Sequence, residues 1–289
     1  MTTREQWIAG ARLKTLPAAI APVLVGTAFA GYNASALHAL LALIVGLGLQ
    51  VGVNFANDYS DGVKGTDSDR VGPMRLVGSG AATPNDVRKA AFISFAVAAL
   101  AGMIISSRTS WLLIIVGALA IVAAWTYTGG PKPYGYQALG EVSVFIFFGV
   151  VATVGTYYIH VGSVSREVLL ASFAMGALAC AILVLNNLRD LESDRVATKK
   201  TLAVVIGDKA TRDLYKWLMF FALVMAVVLT FFSYFYLLAL ISLPLISKSV
   251  RAISAGASGT DLIDLLAKTG RIQIIYAAAL SLAALLVAR

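Results

Sequence analysis

Charged side chains leave seven long gaps along the chain, at 15–57, 90–107, 109–131, 142–165, 168–188, 217–247 and 272–288. Leu, Val, Ile, Ala, Phe and Gly fill them, without the strict alternation of a half-buried strand. A helix that crosses a bilayer needs about 20 mostly apolar residues, and five of the gaps have the length of one such span. The gap 15–57 holds two, with a break predicted at Gly31-Tyr32-Asn33-Ala34-Ser35, a run of turn formers. As a single helix, 217–247 would be about 46 Å long against a core of roughly 30 Å, too long without strong tilt. Two spans, running from about Leu214 to Val250 and hinged at Ser233-Tyr234-Phe235-Tyr236, account for it, with the tyrosines placed at an interface.

Sidedness decides between eight spans and nine. With nine, one face receives every Lys and Arg of the 23 except Arg108, Arg166 and Arg289. With eight, Lys248, Arg251, Lys268 and Arg271 would change sides. Nine spans with a cytoplasmic N-terminus satisfy the positive-inside rule. The expected fold is therefore an all-α membrane protein of nine transmembrane helices, a bundle around a central cavity open to the cytoplasmic side. One domain is expected over 1–289, in two pseudo-repeated halves of about 1–135 and 136–289.

Composition agrees: 13% of residues are charged, 59% are hydrophobic and the mean hydropathy is +0.82. A soluble domain carries about a quarter charged residues, so soluble, disordered and disulfide-stapled classes are excluded. The net charge of +8 follows from the topological bias and attraction to anionic lipid, with no need for nucleic acid. Pro17 and Pro22 inside the first apolar run, and the polar lead before it, favour a retained span over a cleaved signal. The lone Cys180 falls in an apolar span and reads as a small packed residue. His38 and His160 map to the outer face and read as solvated.

The acids are the informative minority. All but Glu167 of the 15 lie at or inside the cytoplasmic face. Two loops concentrate them: Asn54 to Asp69, with Asn57, Asp58, Asp61, Lys64 and Asp67, and Asn186 to Asp194, with Asn187, Arg189 and Asp190. Asn54, Asp58 and Asp61 share a helix face, as do Asn186, Asp190 and Asp194. The pattern Asn-x-x-x-Asp occurs in both, at 57/61 and 186/190, a weak internal repeat consistent with two halves facing across a cavity. Such residues also make ordinary solvated helix ends. Yet aligned carboxylates at a helix C-terminus repel one another and oppose the macrodipole unless something neutralises them. Mg²⁺, taking one or two carboxylates plus substrate phosphate oxygens, would do so. Arg12, Lys14, Lys64, Arg70, Arg75, Lys132, Arg189, Arg195, Lys199 and Lys200 surround the two clusters and suit a diphosphate. Tyr127-Thr-Gly-Gly-Pro131-Lys132-Pro133-Tyr134-Gly-Tyr136 is a rigid aromatic stretch at the same face, read equally as a turn or as a substrate lining.

These motifs resemble those of the UbiA superfamily of intramembrane prenyltransferases over essentially the whole chain. Asn57-Asp-Tyr-Ser-Asp61-Gly-Val-Lys-Gly-Thr-Asp67, Tyr127 to Pro133, Asn186 to Asp194 and Lys199 to Gly207 are most similar to its 1,4-dihydroxy-2-naphthoate polyprenyltransferase branch. The commoner Asn-x3-Asp-x3-Asp pattern fails at Gly65, where Asp58 and Asp67 take up the acidic positions. The resemblance implies nine helices and Mg²⁺ held by Asp58, Asp61, Asp190 and Asp194, with Asp67 as an outer candidate. It implies a polyprenyl diphosphate and 1,4-dihydroxy-2-naphthoate as substrates. Arg12, Lys132 and Lys199 would stabilise the leaving diphosphate, Asn54, Asn57, Lys64, Arg75, Asn186 and Asn187 would line the substrates, and Tyr127 or Tyr134 would shield the allylic cation. The product would be demethylmenaquinone, made in a bacterial inner membrane with no obligatory protein partner. Its rivals are prenylation of another acceptor, such as 4-hydroxybenzoate or homogentisate, and an ion-coupled transporter. The latter normally places ionisable groups near the midplane, where Glu141 is the mild exception here.

Overall fold

The structure, a computed structural model, describes residues 2–65 and 74–288. Among these residues there are helices and no strands, and one isolated bridge pairs Gln137 with Lys200. Twelve α-helices follow in order: α1 Arg4–Ala11, α2 Pro17–Phe29, α3 Ala36–Lys64, α4 Pro84–Arg108, α5 Leu112–Thr126, α6 Gly140–Val144, α7 Ala152–Val161, α8 Arg166–Arg189, α9 Leu191–Val196, α10 Leu202–Leu229, α11 Leu243–Ser254 and α12 Thr260–Val287. A π-helical segment, Phe145–Val151, joins α6 to α7, and a 3₁₀ segment, Tyr234–Ser242, leads into α11.

Six of these rods are long and apolar enough to cross a membrane: α3, α4, Gly140–Val161, α8, Tyr234–Ser254 and α12. A seventh is reached if α1 and α2, bent by 52° where Pro17 starts α2, form one span. The remaining apolar helices are α5, of 15 residues, and α10, whose first turns carry Lys209, Arg212, Asp213 and Lys216.

The breaks fall where turn chemistry puts them. Gly31, at φ +53°, opens a 3₁₀ turn and Ser35 caps α3 by accepting the His38 N–H. α10 ends at Leu229, and an extended Ser233 caps the next segment, as the predicted hinge requires. Tyr236 departs from its expected interfacial place. It is 3% exposed and stacks on Phe29 with centroids 5.6 Å apart, so its ring serves the core. The histidines differ too. His38 and His160 are partly buried against one another, with centroids 5.7 Å apart, and the Ser35 N–H donates to His160 Nδ1.

α8 is the central pillar. It is apolar all round and buried along most of its length, in a core it shares with α2, α10, α12 and Tyr236. Gly149 lets the π segment close on it: a Cβ there would stand 2.5 Å from the Cα of Gly176. α3 and α4 pack around a second cluster built on Phe55, Leu76 and Phe95. α5 has no buried residue and lies on the outside of the bundle.

Candidate active site

α3 runs unbroken through its polar end, where Gly65 stops it at φ +70° and donates to the carbonyl of Asp61. The last turns of this long helix carry five of the predicted residues to four different parts of the chain. Asn54 donates to the Ala11 carbonyl at 3.0 Å and to Thr15 Oγ1 at 3.1 Å, tying α3 to the α1–α2 bend. Arg12 sits in that bend in the left-handed region, at φ +53°. Asn57 accepts from Thr128 Oγ1 at 2.7 Å, while Lys64 donates to the Thr128 carbonyl at 2.9 Å. Together they clamp the aromatic loop onto the end of α3.

Asp58 and Asp61 part company. Asp58 is fully buried, and its two carboxylate oxygens accept from the backbone N–H groups of Leu76 at 2.8 Å and Val77 at 3.0 Å. It faces the returning segment and is absent from the cavity wall. Removing its carboxylate strands two amides, at roughly 1–3 kcal/mol each. Asp58→Ala is therefore expected to lower the thermal midpoint of the purified protein by roughly 5 °C. A midpoint within 1 °C of wild type, on the order of measurement error, would show that the segment is held by other means.

Asp61 does line the cavity. It accepts from the Tyr136 hydroxyl, lies 3.1 Å from Lys199 Nζ and 3.8 Å from Arg75 Nη2. Lys199 also reaches Asp194 Oδ1 at 3.8 Å, so one ammonium bridges the two acidic segments. The Tyr136 ring lies under two cations, with Lys64 Nζ 4.8 Å and Lys199 Nζ 5.2 Å from its centroid.

The second cluster is not one continuous helix face. α8 ends at Arg189, Asp190 has φ −91° and ψ 5°, and α9 restarts at Leu191. Asp194 therefore stands in the first turn of a new helix, where a negative charge is favoured. The expected clash of these acids with a C-terminal dipole holds for α3 and not for Asp194. Asp190 is gripped by Arg189 through two hydrogen bonds, at 2.8 and 2.7 Å, and the same guanidinium donates to Asn186 Oδ1 at 2.8 Å.

Asp61, Asp190, Asp194 and Lys199 open on one cavity of about 340 Å³. Its polar mouth is lined by Arg12, Asn54, Asn57, Asp61, Arg75, Asn186, Asn187, Asp190, Asp194 and Lys199, and its apolar bore by Val23, Ala42, Ile105, Leu113, Phe147, Phe148 and Ile159. Tyr127 and Tyr134 stand between, edge to face with centroids 5.5 Å apart. The Tyr134 hydroxyl donates to the Ala123 carbonyl and pairs with Ser143 Oγ. Burial raises both phenols above the usual tyrosine range, with the Glu141 charge adding to the shift at Tyr127, so both rings are neutral.

Lys132 does not join the site. It is exposed and is not part of the cavity lining, and its backbone carbonyl accepts from the Gln137 side chain. Lys64 likewise works behind the wall, through Thr128. Asp67 and Arg70 lie outside the described residues. Sequence reasoning passed over Tyr136 and Thr128, although both sit in the aromatic loop it had marked. It noted Glu141 as an exception among charge-free spans and gave it no place in the site, yet Glu141 accepts from Asn187 Nδ2 at 2.9 Å.

Among the described residues no three His, Cys, Asp or Glu side chains converge to hold an ion alone. The mouth offers hard oxygen donors split between α3 and the α8–α9 junction, a set suited to an ion that completes its shell with phosphate oxygens.

The chain is similar to known proteins along most of its length. The chain is 47% identical to a 1,4-dihydroxy-2-naphthoate octaprenyltransferase of Mycobacterium tuberculosis, over 97% of each chain. It is 38% identical to the Escherichia coli protein of the same name, over 86% of this chain and 85% of that one. A UbiA homologue from Archaeoglobus fulgidus, solved with DMAPP and Mg²⁺, superposes with a TM-score of 0.69 at 15% identity, over 96% of this chain and 98% of that one. An apo UbiA homologue from Aeropyrum pernix gives 0.74 at 15% identity, over 93% and 97%. The solved structures share the helical fold, and the model of the UbiA prenyltransferase family matches residues 19–255: the chain belongs to that family.

Proposed function

We propose that the chain transfers a polyprenyl group from an allylic diphosphate to 1,4-dihydroxy-2-naphthoate, with loss of the carboxylate, giving demethylmenaquinone in its quinol form. The observation that carries this is the continuity of a charged mouth with an apolar bore in one cavity. The near-full-length likeness to two naphthoate octaprenyltransferases supports the choice of acceptor.

Asp61, Asp190 and Asp194 would hold Mg²⁺ jointly with diphosphate oxygens, and the Archaeoglobus relative solved with DMAPP and Mg²⁺ supports that ion. When bound, it supplies Lewis-acid charge to the diphosphate. Asp58 acts one step behind, by holding the segment that presents Arg75. Asp67 keeps its place as an outer candidate. Arg12, Arg75 and Lys199 receive the charge that develops as the allylic C–O bond breaks and its electron pair leaves with diphosphate. The carboxyl-bearing ring carbon then supplies the pair for the new C–C bond. Cleavage of the C–CO₂ bond returns a pair to the ring. Tyr127 and Tyr134 turn neutral π faces to the reacting carbon, and the apolar bore keeps water from it.

With α5 and the apolar part of α10 added to the seven possible spans, the chain crosses the membrane nine times. Its mouth faces the cytoplasm of a bacterial cell, and the halves 1–135 and 136–289 each contribute one acidic segment. Lipid is the surrounding partner, and no protein partner is required.

Membranes carrying the protein, offered geranylgeranyl diphosphate with competing naphthoate, 4-hydroxybenzoate and homogentisate, are expected to yield the prenylated naphthoate by mass spectrometry. No naphthoate product would sink the acceptor assignment. Chelation with EDTA is expected to reduce turnover below detection and added Mg²⁺ to restore it. Unchanged turnover in EDTA would remove the metal from the scheme.

A further inference from the structure

Glu141 stands apart from the acids of the mouth. It is 9% exposed, in the first turn of the Gly140–Val161 span. A carboxylate buried inside a membrane bundle is costly and calls for a named partner and a use. The start of α6 offsets part of its charge, and the Cys180 thiol donates to its backbone carbonyl at 3.1 Å. Its side chain divides its work unevenly. Oε1 accepts from Asn187 Nδ2 at 2.9 Å, while Oε2 is buried without a hydrogen-bond partner. An apolar residue would fill this place at lower cost, so packing alone does not account for it.

Asn187 is itself part of the cavity wall, three residues before Asp190 and in a chain segment with Leu183 and Asn186, which also line it. In this pair the Glu141 oxygen is the acceptor and the Asn187 amide the donor. The amide nitrogen of Asn187 is thereby committed to Glu141, and its carbonyl oxygen is the end left for the cavity. Tyr127, across the same wall, lies close enough to Glu141 for that charge to help keep its phenol protonated.

We propose that Glu141 is a positioning residue that locks the Asn187 amide with its carbonyl oxygen in the cavity, where that oxygen accepts a hydrogen bond from a ring hydroxyl of the aromatic acceptor. This rests on the assignment of the chain as an aryl prenyltransferase and adds to it the group that reads the hydroxyl. No proton is transferred. A phenolic O–H that donates to a fixed acceptor is oriented, and its ring is enriched in electron density where the electrophile arrives. A site built around such a bond also rejects analogues that lack the hydroxyl.

Four proteins test it: wild type, Glu141→Gln, Asn187→Asp and the double variant. Glu141→Gln frees the Asn187 amide to flip, and Asn187→Asp sets two carboxylates against each other. The double variant restores a donor at 141 and an acceptor at 187. Each single variant is expected to lose roughly tenfold or more in kcat/KM for the acceptor. The KM for geranylgeranyl diphosphate and the Mg²⁺ dependence stay at wild-type values. The double variant is expected to recover to within about threefold of wild type, since the pair again has one donor and one acceptor.

Single variants that match wild type would overturn the proposal. So would a double variant no better than the worse single one, a loss that appears in the Mg²⁺ or diphosphate dependence, or a loss that follows a fall in thermal midpoint. Wild type is first offered the competing hydroxylated acceptors. If the naphthoate is not prenylated, the acceptor assignment fails on its own, and the same rescue is then required with the acceptor that is turned over. Equilibrium binding of that acceptor to the four proteins, in the presence of inorganic diphosphate, must show the same order.

Discussion

Asp61→Ala and Asp190→Ala are each expected to cut prenyl transfer by about 10³-fold or more, the scale seen when a preorganised group facing transition-state charge is removed. The two positions fail for different reasons. Asp61 is the meeting point of Tyr136, Lys199 and Arg75, so its loss leaves two buried cations and a phenol without their shared acceptor. Asp190 is held rigid by two hydrogen bonds from Arg189, and its loss takes the carboxylate partner from a side chain only 3% exposed that also donates to Asn186. Product would be quantified by mass spectrometry against the amount of inserted protein, and Asp190→Asn repeats the measurement with side-chain volume kept. Activity within about tenfold of wild type in either alanine variant, with normal insertion, would refute a diphosphate site built from both segments.

Gly155→Phe is expected to separate short donors from long ones. Gly117 on α5 and Gly155 on α7 both line the cavity, and a Cβ added at either would meet nothing within 4 Å. Glycine inside a helix costs about 1 kcal/mol relative to alanine, and close packing does not explain these two. The space they leave belongs to the bore. A benzyl group at 155 would occupy it, so turnover with geranylgeranyl and longer diphosphates should fall by roughly a hundredfold, the upper end of the cost of overpacking. Dimethylallyl diphosphate, with a single isoprene unit, should retain near wild-type turnover, and Gly155→Ala should lie between. Equal losses with short and long donors would show that the residue supports the helix and not the tail path.

Much of this was legible before any coordinates. Charge-free runs mark the rods, and turn residues mark the breaks at 31–35 and near 233, because helix continuity is a local property. The acidic segments were legible for the same reason. What local pattern does not contain is the neighbour each face meets. Asn54, Asp58 and Asp61 do share a face of α3, yet they reach the α1–α2 bend, the 76–77 backbone and Lys199 respectively. Spacing could not tell the carboxylate that holds the protein from the one that faces the cavity. Lys132 looked equivalent to Lys199 by charge and loop, and only the path of the aromatic loop leaves it exposed and outside the cavity lining. The break at Asp190 was hidden because the helical spacing continues across it: the Asp194 N–H still donates to the Asp190 carbonyl at 2.8 Å. The Glu141–Asn187 pair joins residues 46 positions apart, and no periodicity reports such a contact.

The Lys199 bridge also bears on the order of events in a catalytic cycle. An ammonium 3.1 Å from Asp61 and 3.8 Å from Asp194 already supplies the counter-charge those carboxylates need. A free divalent ion arriving alone would have to displace it and lose its own hydration, with little net electrostatic gain. An ion that arrives already chelated to a diphosphate brings a new anion for the displaced ammonium to hold. Exchange of partners at Lys199 would thus let one residue release the two carboxylates to a divalent ion and hold the diphosphate that accompanies it. Without that complex the ammonium joins the two acidic segments, as it does here, at 3.1 Å and 3.8 Å.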